Sequence, residues 1–141
     1  MEDIELARSL LEEENLSLII VKGGRVLFSS KESGVAPLFR AVQSMGKSLY
    51  NAALADRIVG SAVAMLCLHA RITSVYAGVA SQAALDMLGR QGVTTNTKNV
   101  VPHISNYDGT DLCPFEKMAA GCQKPSELFA SLQSLFAEGE Q

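Results

Sequence analysis

Ile58-Val59-Gly60-Ser61-Ala62-Val63-Ala64-Met65-Leu66-Cys67-Leu68 is apolar on almost every side of a helical wheel. A helix without a polar stripe must be buried on all faces rather than laid half-exposed on a surface. The run is about 11 residues long, against roughly 20 for a membrane crossing, so it reads as the central helix of a globular core. The pattern predicts a helix that starts between Lys47 and Asp56 and continues to about Ala70. Gly60 and Ala64, four apart, share one face, where their small size lets a neighbouring element approach closely.

Downstream, Ser74 to Val79 reads as an inner strand, and Ser81 to Gln91 as a helix capped by Ser81 and closed by Gly92. Val93 to Thr95 suggests a short strand, and Val100 to Ile104 another or an extended edge. Leu112 to Ala120 and Pro125 to Phe136 read as the last helices. Upstream, Ile4 to Glu13 forms an amphipathic first helix. Leu16 to Val21 and Arg25 to Ser29 are short strands joined through Lys22-Gly23-Gly24, a hairpin signal. Val35 to Met45 is a helix that Gly46 ends. This order predicts an α/β fold, a three-layer α-β-α sandwich with a mixed sheet, in one domain over 1–141. No internal repeat is present.

The 141 residues are 48% apolar and 19% charged, enough for one packed core and not a disordered composition. A net charge of −3, with no Lys/Arg cluster, argues against a nucleic acid polymer as partner. The start, Met1-Glu2-Asp3, is acidic and lacks a signal pattern. With three cysteines, Cys67, Cys113 and Cys122, this predicts a cytoplasmic, non-membrane protein rather than a disulfide framework.

The chemistry concentrates in Asp108-Gly109-Thr110-Asp111-Leu112-Cys113-Pro114-Phe115-Glu116-Lys117, a polar loop that delivers a cysteine to the first turn of a helix. Pro114 suits that turn, whose amides need no intrahelical acceptor. Unpaired amides lower the cost of ionising Cys113, and Lys117 adds to that field. Glu116 opposes it, unless it folds back as a capping box. Asp108 marks a turn, Asp111 can cap, and Asn106 and Tyr107 could line the edge of a polar pocket. Asp56 with Arg57 is read at the start of the apolar helix. If both helix starts converge, they form an anion-attracting cleft to which Lys47, Arg57 and His103 could contribute. Gly46-Lys47-Ser48 is not a phosphate loop, because Ala41 stands at the position of the required glycine. His69 fits a core or capping role. No serine has an elbow motif.

The Asp56-Arg57-Ile58-Val59-Gly60 segment, Val75-Tyr76-Ala77, Val101-Pro102-His103-Ile104 and the Asp108-to-Lys117 motif resemble the DUF1893 family over nearly the whole chain. That resemblance implies a cytidine deaminase-like fold and carries no biochemical activity with it. A zinc deaminase needs His-x-Glu or Cys-x-Glu on one helix and Cys-x-x-Cys on the next. Here the comparable first helix offers Asp56 and Arg57. The second offers Cys113, with Glu116 in place of the second cysteine, and Cys122 lies nine residues further on.

The expectation is therefore a protein that binds a small anionic or nucleotide-like ligand without zinc-dependent deamination, and with no metal or cofactor. Cys113, Glu116 and Asp56 are its candidate catalytic groups. Lys47, Arg57, His103, Asn106, Asp108, Asp111 and Lys117 are its candidate ligand contacts. Two alternatives stay open: a cysteine-dependent enzyme using Cys113, and a structural or oligomeric interaction module, including a homo-oligomer.

Overall fold

The computed structural model describes residues 1–106 and 108–139. Its elements are α1 (Asp3–Glu13), β1 (Leu18–Lys22), β2 (Arg25–Ser30), α2 (Ala36–Met45), a 3-10 turn (Gly46–Leu49), β3 (Ala53–Val59), α3 (Ser61–His69), β4 (Ser74–Ser81), α4 (Gln82–Arg90), β5 (Thr94–Val101), α5 (Pro114–Ala120) and α6 (Pro125–Gly139). The β1–β2 turn places Gly23 at φ 60° and Gly24 at φ 75°, the left-handed pair that a tight hairpin requires. Asp3 fastens this turn to α1, its carboxylate accepting from the amides of Gly23 at 2.8 Å and Gly24 at 2.9 Å.

The five strands form one mixed sheet in the order β2-β1-β3-β4-β5. β1 is antiparallel to both β2 and β3, while β3, β4 and β5 run parallel. Alternation along the strands separates two cores. Ile19, Val21, Ala55 and Tyr76 face α1, where Ala7 and Leu11 cover them. Leu18, Ile20, Leu54, Val75 and Ala77 face the remaining helices. There α3 packs against α2, α4, α5 and α6, which explains why it has no polar face. Phe39 of α2 meets Phe129 and Phe136 of α6 at ring distances of 5.4 and 5.0 Å. No described helix is long and apolar enough to cross a membrane.

The sequence expectation fails at one decisive place. The predicted helix from the Lys47–Asp56 region to Ala70 is in fact the strand β3, then a break at Gly60, then α3. β3 is paired on both sides and its first four residues are all buried. A strand buried on both faces loses its polar alternation, and its apolar run merges with that of the following helix. Asp56 therefore sits within a central strand and not at a helix start. The expected pair of short strands near Val93 and Val100 is one continuous edge strand, β5, whose polar Asn96, Lys98 and Asn99 lie on an exposed border.

Candidate functional site

The chain turns sharply from β3 into α3 at Gly60. A side chain there would place its Cβ 1.4 Å from Glu116 Oε1 and 2.9 Å from Ile104 Cγ1. Any side chain there would displace the Glu116 carboxylate and crowd Ile104. Glu116 uses that space to reach α3, where the Ala62 amide donates to its Oε2 at 3.2 Å. It caps the neighbouring helix across the fold, not its own helix as a capping box would. Partial burial raises its pKa, and the amides of Ala62 and Ser61 pull it back down.

Asp56 lies next to this junction and is 9% exposed. The Ile58 amide donates to its Oδ1 at 3.2 Å. Burial pushes its pKa up to about 7, and the amides of Ile58 and Arg57 offset only part of that shift. Cys67, on the inner side of α3, is fully buried. Burial first, and the Asp56 charge second, push its thiol above the ordinary range.

Asp56, Glu116 and Cys113 line one cleft of about 490 Å³. Cys113 is half-buried and caps α5 without a side-chain bond, its amide donating to Ile104 O at 3.0 Å. Leu18, Val35, Ile58, Val63, Ile104 and Phe115 give the cleft apolar walls. Ser17 and the Glu32-Ser33-Gly34 segment complete its rim. The sequence reading missed this rim, whose signal was the Ser-Gly turn before α2. Glu32 is paired with Arg40 at 2.8 Å.

The starts of α3 and α5 do meet at this cleft, but of the expected cations Lys47, Arg57 and His103 only Arg57 borders it. Arg57 donates from Nε to Leu16 O at 2.6 Å and from an Nη to Leu11 O at 3.1 Å, which commits it to the end of α1. Lys47 lies before β3, beside Tyr50 and His69, at the other end of the strand. His69 itself stacks on Phe129 at 4.5 Å. His103 is exposed in an adjoining groove that shares only Ile104 and Glu116 with the cleft.

Asn106 organises its own loop, its Oδ1 accepting from Thr110 N at 3.0 Å and its amide donating to Asp111 O at 2.7 Å. Asp108 is an exposed turn residue. Asp111 accepts from Leu112 N at 2.7 Å and pairs with Lys117. Lys117, followed by the Leu112 amide, lowers the Asp111 pKa. Tyr107 lies outside the described residues. None of these loop residues lines the cleft that holds Cys113.

One oxygen of Glu116 is engaged by the Ala62 amide. No three metal-ligating side chains converge among the described residues.

The comparisons with known proteins bear on the whole chain. No curated protein is similar to it by sequence. A crystal structure of a DUF1893 family protein from Thermotoga maritima is 28% identical, with a TM-score of 0.84, covering 94% of this chain and 88% of that one. A diaminohydroxyphosphoribosylaminopyrimidine deaminase/5-amino-6-(5-phosphoribosylamino)uracil reductase, also from Thermotoga maritima, is 15% identical, with a TM-score of 0.48, covering 82% of this chain and 38% of that one. The TM1506 family, a domain of unknown function (DUF1893), matches residues 6–136. With the match running from α1 to α6, this chain belongs to the DUF1893 family.

Proposed function

We propose that the Asp56–Cys113 cleft binds a small neutral or cationic ligand with N–H donors, of nucleobase-like size and flatness, without zinc-dependent deamination. One observation carries this reading. A carboxyl whose pKa burial pushes up to about 7 lines a cleft whose one lining arginine, among the described residues, turns Nε and one Nη to backbone carbonyls elsewhere. Carboxylates accept hydrogen bonds and repel anions, so the groups favour ring N–H or amidine-type donors over a phosphate. Apolar walls suit the faces of a flat heterocycle, and about 490 Å³ lies within the usual span of small-ligand sites. The ligand's nucleotide-like character thus narrows to its base. A cytidine deaminase-like scaffold is part of the same reading, supported by α3 and α5 beginning side by side at one end of the parallel strands. Cys113 serves as a wall contact.

The test is calorimetric titration of the full chain with cytosine, adenine and cytidine 5′-monophosphate between pH 6 and 8. One free base is expected to saturate with Kd at or below about 1 mM, a binding free energy near −4 kcal/mol. Affinity should rise as the pH passes about 7, because the ionised Asp56 is the better acceptor. Asp56→Asn should weaken binding by about tenfold and flatten the pH response, while Cys113→Ser should stay within a few-fold of the parent. Saturation by the monophosphate alone, or by no probe, would refute the reading. Collapse of binding in Cys113→Ser would favour the cysteine-dependent alternative.

A further inference from the structure

We propose a second ligand site, at the opposite end of the parallel strands, for a small organic anion carrying one phosphate, carboxylate or sulfonate group on an apolar body. Asn51 and Thr73, just ahead of β3 and β4, border a cleft of about 650 Å³, larger than the Asp56 cleft. Its apolar lining includes Met65, Leu68, Ile72 and Met87. Arg71 and Arg90 supply its charge, no lining residue is acidic, and neither arginine has an acidic partner among the described residues.

The two clefts therefore have opposite chemistry: carboxylates at the β3–α3 junction, guanidinium groups here. In a chain of net charge −3, two arginines lining one cleft, neither with an acidic partner among the described residues, give it a positive character suited to an anion. Arg71 is held in place. Its backbone is left-handed at φ 56°, its carbonyl accepts from the Asn51 amide at 2.9 Å, and its guanidinium lies 4.7 Å over the Tyr50 ring. A stacked guanidinium loses less freedom on binding a planar or tetrahedral anion. Arg90 sits in the last turn of α4, where the helix end stabilises its charge without engaging its donors. The apolar residues lining the same cleft account for the second half of the ligand class.

The test uses phenyl phosphate and benzyl alcohol as paired probes, with binding followed through the backbone amide resonances of the full chain. Phenyl phosphate is expected to shift Thr73, Gln91 and Gln123 in a saturable way, whereas benzyl alcohol at equal concentration does not saturate. Arg90→Gln should weaken the phosphate probe by about tenfold, and Arg90→Lys should recover most of the loss. The same spectra report whether each variant is folded, and Arg71→Gln provides the second arm. Equal response to the alcohol, undiminished binding in both glutamine variants, or shifts centred on Ile58 and Cys113 instead would each overturn the proposal.

Discussion

Asp56 is ionised in the unfolded chain above about pH 4, yet holds its proton in the folded chain up to about 7. Between those values the native state binds a proton that the unfolded state has released, so stability falls as pH rises through the window. Above it the full penalty applies, roughly 4 kcal/mol from a shift of about three pKa units. Asp56→Asn keeps an acceptor for the Ile58 amide and removes the buried charge. Urea unfolding at pH 8 should show this variant more stable by roughly 2–4 kcal/mol, with little difference near pH 4. A variant no more stable than the parent at pH 8 would mean that the carboxylate is solvated or paired when ionised. The sequence marked Asp56 as chemically unusual but misjudged the cause. Its sequence context reads as a helix start, whereas its character comes from burial within a central strand, which no local pattern encodes.

Elements join at the site through Glu116, the carboxylate that ties the start of α3 to α5. Glu116→Ala should cost about 1 kcal/mol, the usual penalty for losing a helix cap. It should also speed hydrogen exchange at the Ala62 amide, while Glu116→Gln, which keeps an acceptor oxygen, changes both less. Unaltered exchange in the alanine variant would show that water replaces the cap without loss. The elements themselves were legible in unequal measure. The glycine pair of the hairpin, the Ser81 cap of α4, where Ala84 N donates to Ser81 Oγ at 3.2 Å, and the apolar circumference of α3 all carry local signals. The β3–α3 boundary does not, because a doubly covered strand and an enclosed helix both appear as unbroken apolar sequence. Local spacing assigns Glu116 to the first turn of its own helix. Its partner lies 54 positions away, and only the packing of α5 on α3 reveals it.

Across the whole molecule, one sheet face depends on α1 alone, and Arg57 reaches from β3 to the carbonyls at that helix's end. Arg57→Ala should lower stability by about 1–3 kcal/mol and selectively release the amides of α1 to exchange. Lysine at this position should restore the fold only in part, since it cannot reproduce the fork of donors. Protection of α1 equal to the parent's would show that apolar packing suffices. The opposite layer has a different consequence. Cys67 is sealed inside α3, with its thiol held in the neutral form, while Cys113 and Cys122 are half-buried. A thiol-modifying dye should therefore reach Cys113 first and Cys122 more slowly, since burial and then Glu127 raise the Cys122 thiol pKa, and the third only as fast as the entire layer comes apart, giving the protein a built-in clock for its own opening.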